Sequence, residues 1–174
     1  MTDADRFEAF VREYQDMVFA PAVRLLANPA EAEDIAQTVF LRAFERFSSI
    51  STSATAAGWL KTVTTNLCLN HLARYRARWQ FFSELDRPED DERYEARVPA
   101  PAATDALERT SRQEALERAV QALPDHQRIP LVLFHFEDMS YKEIAAALGI
   151  SVAKVKTDIH RSREALKRAI AGLV

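Results

Sequence analysis

Between Ser140 and Leu166 the chain reads "SYKEIAAALGISVAKVKTDIHRSREAL", apolar on one rhythm and basic on another. Ser140 followed by Glu143 has the form of a capping box, so a helix starts there, and Ser151 caps the next one. A helix-turn-helix needs a small residue where its helices touch, a glycine at the turn and a branched residue holding the second helix; Ala145, Gly149 and Val155 stand at those spacings. Leu148 and Ile150 flank the turn and are expected to be buried. Lys154, Thr157, Asp158, Arg161 and their neighbours are then left facing outward, where a cationic helix suits the major groove of duplex DNA. A helical hairpin with an ordinary solvated basic face is the plainer alternative, against which the long basic second helix weighs.

The rest of the chain must fit that motif. Its 174 residues allow one compact domain or two small ones. Hydrophobic residues make up 48% of it, glycine is scarce, and no run approaches the roughly 20 apolar residues that cross a bilayer, so a soluble helical protein without membrane insertion is expected. The opening "MTDADRFEAF" is acidic and amphipathic and lacks the basic start and apolar core of a secretory signal, which implies a cytoplasmic location. Cys68 is the single cysteine; it excludes an internal disulfide and a zinc site built from several thiolates, and reads as core filler.

The formal charge of −3 looks wrong for a nucleic-acid binder, but it averages over unlike regions. Residues 61–80 carry Lys61, Arg74, Arg76 and Arg78 with no acid, a balance of +4. Residues 151–170 set six bases against Asp158 and Glu164, again +4. Between them, residues 84–117 hold eleven acids and five bases. Two basic islands are separated by an acidic stretch.

Helical periodicity organises both ends. Phe7, Phe10, Val11, Tyr14 and Val18 recur every three or four residues, the stripe of an amphipathic helix. "NPAEAEDIAQTVFLRAFERF" (28–47) opens a second helix with Asn28 as cap, Pro29 at the first helical position and Glu31 at the third, a variant of the capping box. Leu60, Thr64, Leu67, Cys68 and His71 mark a third helix from about Ala56 to Arg78. "ELDRPEDDERYEARVPAP" (84–101) is charged, contains three prolines and has no continuous apolar stripe, which predicts a linker. Beyond it, Ser111 with Glu114 predicts a capped helix ending near Leu123, and Pro130 is expected to kink or delay the helix that follows. Strand-like alternation is missing throughout. The expected fold is all-α: two small helical domains, 1–83 and 107–174, joined by an acidic linker at 84–106, with the helix-turn-helix in the second.

For an enzyme the sequence offers little. Gly58, Gly149 and Gly172 are too scattered for a phosphate loop, and His71, His126, His135 and His160 are too dispersed to suggest a site. No catalysis, cofactor or metal is expected. Surfaces are more informative. On a helical wheel Ile35, Ala36, Val39, Ala43 and Phe47 form one face of the second helix, while Asp34, Gln37, Thr38, Leu41, Phe44 and Glu45 form the other, with Phe40 near the edge of the first. Leu41 and Phe44, an apolar pair framed by acids and an amide, have the composition of a partner-binding surface. On the third helix Trp59, Thr62, Asn66, Asn70 and Arg74 align as a polar stripe with an aromatic at one end and cations at the other. An unpaired base needs an amide for its edge, an aromatic wall for its face and cations for its phosphates, and this stripe supplies all three.

"LPDHQRIPLVLFHFEDMSYKEIAAALGISVAKVKTDIHRSREALKRA" (123–169) resembles the C-terminal promoter-reading domain of bacterial RNA polymerase sigma factors, specifically the extracytoplasmic-function (ECF) group of the sigma-70 family. "AEAEDIAQTVFLRAFERF" (30–47) and "GWLKTVTTNLCLNHLARYRAR" (58–78) resemble that group's N-terminal domain, in the right order. The resemblance implies a promoter-specificity subunit that binds core RNA polymerase and initiates transcription. It docks the second helix on the clamp helices of the polymerase's largest subunit through Asp34, Gln37 and Phe40, beside Leu41 and Phe44, and adds the flap of the second-largest subunit as a partner. It assigns capture of an unpaired base of the −10 element to Asn66, with Trp59, Asn70, Arg74, Arg76 and Arg78 nearby, and −35 duplex reading to Lys154, Lys156, Thr157, Asp158, His160 and Arg161. The rival is a stand-alone helix-turn-helix regulator that binds DNA as a dimer; it accounts for neither the Asn66 stripe nor Leu41 and Phe44.

Three departures from the family pattern stand out. "SSISTSATAAGWL" (48–60) replaces a shorter connector, Thr38 stands where many relatives carry a carboxylate, and Asp158 where arginine is common. The connector holds Ser48, Ser49, Ser51, Thr52, Ser53 and Thr55, and no acid occurs between Arg46 and Ser83. A phosphate there would supply the negative charge that Thr38 lacks and could pair with Arg42, Arg46 or Lys61. Control is therefore expected from an anti-sigma factor or from a Ser/Thr kinase acting on Thr52, Ser51, Ser53 or Thr55. A plain Ser/Thr-rich loop is the ordinary alternative.

Overall fold

The computed structural model describes residues 1–73 and 105–172, with the side chains of 105–109 set aside. Eight α-helices and no strand occur among the described residues, and none of those helices is long and apolar enough to cross a membrane. The chain divides into two compact units, Met1–Arg74 and Tyr75–Val174. The expected linker at 84–106 lies outside the described residues except for Asp105 and Ala106, which already belong to a helix.

In the first unit α1 (Asp3–Leu26) starts at a capping box: Thr2 Oγ1 accepts from the Asp5 N–H at 3.2 Å, and Asp5 accepts from the Thr2 N–H at 2.9 Å. It ends at Ala27, whose left-handed φ of 52° lets its N–H reach the Val23 carbonyl. Asn28 then caps α2 (Pro29–Glu45), its Oδ1 accepting from the Ala30 and Glu31 N–H groups. The return bond expected from Glu31 is not made; its carboxylate stands 3.4 Å from His71 Nε2 on α4 (Ala56–Ala73). The Glu31 carboxylate thus faces a neighbouring helix rather than its own N-terminus. The helix stops at Glu45, so Phe47, expected on its inner face, sits on a separate turn, α3 (Phe47–Ile50). From there its ring meets Phe7 and Phe10 edge-on, at 5.3 and 5.6 Å.

Helix α1 packs on both α2 and α4, and Val18, Val39, Ala43 and Leu60 are fully enclosed where they meet. Burial of side chains of this size contributes about 1.5–3 kcal/mol each for the larger ones. The one described polar side chain buried with them, Thr64, donates its hydroxyl to the Leu60 carbonyl at 2.7 Å.

In the second unit α5 (Asp105–Ala122) runs straight through Ser111, so the expected capping box there is mid-helix rather than a start. The Ser-x-x-Glu pattern caps only where the preceding residues leave the helix, and here they continue it. The turn to α6 (Asp125–His135) is fastened by buried Arg128, which donates to the Leu123 carbonyl at 2.8 Å and to Asp125 at 2.6 Å. Pro130 does not delay α6, which begins five residues before it and extends past it. Next come α7 (Tyr141–Leu148) and α8 (Val152–Ala171), the helix-turn-helix. The Ser140–Glu143 box closes in both directions, Gly149 turns the chain at φ 68°, and Ser151 accepts from the Lys154 N–H. Helix α8 packs against α5, α6 and α7 through fully buried Val155 and Ile159. Leu148 is buried as expected, whereas Ile150 is only half-buried because the turn carries it to the rim.

Candidate functional site

On α2 the structure keeps Asp34, Gln37, Leu41, Phe44 and Glu45 exposed and turns Val39 and Ala43 inward. Leu41 is 65% and Phe44 56% exposed, unusual for side chains of this size on a helix that has a core to join. Thr38 is half-buried and spends its hydroxyl on the Asp34 carbonyl, 3.0 Å away. Phe40, expected at the edge of the inner face, is buried at 9% exposure and belongs to the core. It reaches the surface only as the floor of a groove of about 840 Å³ between α1 and α2, which Leu41, Phe44 and Phe19 wall and Asp16, Glu33 and Gln37 rim. Phe19 and Asp16 were not legible as site residues. The one sequence signal was that Phe19 falls off the apolar α1 stripe; the structure leaves it 38% exposed.

The α4 stripe is only partly brought together. Thr62, Asn66 and Asn70 are exposed along the helix, while Trp59 is half-buried against the first unit's core. Trp59 also lines a shallow depression with Val63, Arg42, Glu45 and Arg46, so its ring is a wall shared between core and surface. Arg74, Arg76 and Arg78 lie outside the described residues. All six hydroxyl residues of 48–55 are exposed; Ser49 donates to the Arg46 carbonyl at 2.9 Å, and Ser53 and Thr55 share a 2.7 Å bond.

On α8 Lys156, Thr157 and His160 are exposed and Lys154 and Arg161 half-exposed. Asp158 corrects the expectation: it is 1% exposed and faces inward. Val155, Asp158, Ile159 and Ser162 form the inward edge of α8, the i, i+3, i+4, i+7 set that packs on the helices behind it. Other cations are braced from the side. Lys156 Nζ lies 5.7 Å over the Tyr141 ring, which stacks on Phe134 at 4.7 Å and 5°, and the Arg163 guanidinium lies 5.6 Å over the Phe134 ring. Arg163 also donates to His135 Nε2 at 3.1 Å; partial burial, then the charge of Arg163, lowers the His135 pKa. Among the described residues no group of three or more His, Cys, Asp or Glu side chains could hold a metal ion.

A braced cationic helix beyond a capped turn, in one unit, and an apolar pair on an acid-and-amide face, in the other, have counterparts in known proteins. Residues 10–78 match the family model for sigma-70 region 2, and residues 113–166 that for sigma-70 region 4. The chain is 31% identical over 172 residues to the ECF RNA polymerase sigma factor SigW of Bacillus subtilis, covering 98% of this chain and 92% of that one. It is 30% identical over 170 residues to the RNA polymerase sigma-E factor of Streptomyces coelicolor, covering 98% and 89%. A solved chain, the sigma factor RpoE in complex with the anti-sigma factor NepR from Bartonella quintana, aligns over 95% of this chain and 96% of that one at 21% identity and a TM-score of 0.49. With both regions matched in order and a relative 31% identical that is covered over 92% of its length, the chain belongs to the ECF group of RNA polymerase sigma factors.

Proposed function

We propose that this sigma factor binds core RNA polymerase through the outward face of α2, reads the −35 duplex with α8 and opens the −10 element with the α4 stripe. Asp34, Gln37, Leu41 and Phe44 form the docking surface for the clamp helices of the largest subunit, with Phe40 as its buried floor. Asn66 receives the unpaired base; Trp59 walls it, and Asn70 with Arg74, Arg76 and Arg78 hold the neighbouring backbone. Lys156, Thr157, His160 and Arg161 meet the −35 groove, and Lys154 meets it with Asp158 behind. Residues 1–83 act as the polymerase and −10 domain and 107–174 as the −35 domain, with the flap of the second-largest subunit as the latter's partner and 84–106 joining the two. It works in the cytoplasm, where its polymerase is, and performs no covalent chemistry of its own.

The observation that carries this reading is the exposed Leu41–Phe44 pair beside Asp34 and Gln37. A self-sufficient dimeric regulator has no use for it. Run-off transcription and promoter binding, each with and without added core polymerase, separate the two: promoter-specific binding that needs core supports the sigma reading, and full binding by the free protein overturns it. Restraint comes from an anti-sigma factor or from phosphorylation of the exposed 48–55 hydroxyls; Thr52, with Ser51, Ser53 and Thr55 close behind, stands between Arg46 and Lys61 in a stretch free of acids.

A further inference from the structure

Lys154 is the first cation of α8, and its ammonium is already engaged. Nζ donates to both carboxylate oxygens of Asp158 one turn on, at 3.2 and 2.9 Å. Asp158 is closed to solvent, whereas the Lys154 side chain is 28% exposed, so the pair has a buried anion and a cation at the surface. Its geometry is one-sided. The lysine is held from within, and its remaining donor capacity is directed away from the carboxylate. Burial raises the Asp158 pKa, against the lowering by the hydrogen bond and charge of Lys154 and the charges of His126 on α6 and Arg161 on α8.

A free surface lysine is a mobile point charge that suits a phosphate. A lysine whose charge is offset from behind and whose stem is fixed loses much of that general attraction but keeps a directed donor, which suits an acceptor on a base edge such as guanine O6 or N7. We propose that Asp158 is a positioning residue for promoter discrimination: it fixes and partly neutralises Lys154, so that Lys154 reads one base pair of the −35 element instead of holding a phosphate. The inference rests on the reading of α8 as the −35 helix. It replaces the expectation that Asp158 itself touches DNA, and it gives a role to a carboxylate that a cationic helix otherwise does not need.

The test uses the full chain assembled with core polymerase and a set of promoters carrying single substitutions across the −35 element. Lys154→Gln keeps a donor for Asp158 and removes the charge. It should lose discrimination at one base pair by about fivefold or more, the low end for a specific base contact, with the salt slope of binding nearly unchanged. Asp158→Asn should release the ammonium, weakening that discrimination while steepening the salt slope by up to about 0.9 as Lys154 takes up a phosphate. In the Lys154→Gln background Asp158→Asn should change neither quantity. Uniform weakening by Lys154→Gln at every promoter, with a slope shallower by about 0.9, would show a phosphate contact and overturn the proposal. So would an equal effect of Asp158→Asn with and without Lys154, the signature of a merely structural role. If Asp158→Asn does not fold, Lys154→Gln can still overturn the proposal, and Asp158→Glu, which keeps the charge but moves it, should weaken the same discrimination; unchanged discrimination by folded Asp158→Glu would overturn it too. Wild-type binding indifferent to every −35 substitution would instead overturn the −35 reading itself.

Discussion

The Phe44 ring, more than half exposed on α2, meets the Phe7 ring of α1 edge-on with centroids 5.0 Å apart. An outward aromatic is thereby braced from beside, and one wall of the α1–α2 groove is set before any partner arrives.

That bracing separates two variants. Leu41→Ser removes an exposed side chain and should leave stability within about 0.5 kcal/mol, whereas Phe44→Ser also gives up an aromatic pair of about 0.5–1.5 kcal/mol. Both should weaken core binding by roughly 2 kcal/mol or more, as loss of an interface anchor does. Thermal melts read the first difference and anisotropy titration with core polymerase the second; normal core binding by folded Leu41→Ser would sink the docking surface.

The two DNA surfaces should fail differently. Asn66→Ala is expected to slow promoter opening and blunt −10 selectivity while duplex binding survives, with permanganate footprinting as the measurement. Arg161→Ala should weaken −35 duplex binding and lower its salt slope by about 0.9 if the guanidinium holds a phosphate. Indistinguishable defects would argue against divided labour.

Asp158 makes the stability of the second unit depend on pH. Its folded pKa is raised above the ordinary 3.8 by burial. Through the window from 3.8 up to the folded value the native state keeps a proton that the unfolded chain has released, so stability falls as pH rises across it. Below that window the contribution is fully favourable, and Asp158→Asn should flatten the slope. Urea titrations of wild type and Asp158→Asn at a series of pH values check this; identical slopes would remove Asp158 as the cause.

Phosphorylation of the 48–55 hydroxyls would place roughly −1.5 to −2 charges next to α2 in an uncharged segment flanked by Arg46 and Lys61. Thr52→Glu should raise core binding and run-off transcription without any kinase, and Thr52→Ala should abolish the gain that a kinase gives, with single substitutions at Ser51, Ser53 and Thr55 as comparisons. If unmodified protein already binds core fully and no substitution alters its activity, control belongs to a separate antagonist.

Much of this molecule was legible in local chemistry. Asn28 and Pro29 announced α2, Ser140 with Glu143 announced α7, Gly149 the turn and Ser151 the last helix, because a cap satisfies N–H groups within three residues of itself and needs no neighbour to be recognised. Leu41 and Phe44 were legible as outward because they lie far from the apolar stripe on the wheel.

Residues at the boundary of a stripe were another matter. Phe40 and Asp158 both stand close to the edge of an inward stripe, and a period of 3.6 cannot say on which side such a residue falls. The side was decided by what packs behind: Phe40 joins the first unit's core with Val39 and Ala43, and α8's neighbours in the second unit enclose Asp158. Ser111 shows the converse limit, a local signal overruled by a helix that had already begun. Sequence alone determined where most of the helices lie, where most of them are capped and which two surfaces carry the wrong polarity for a core, but not the short α3 turn or the early start of α5. Only the tertiary structure decided that Asp158 faces inward and holds Lys154, since burial of a charge depends on the helices that surround it and on the partner they leave within reach.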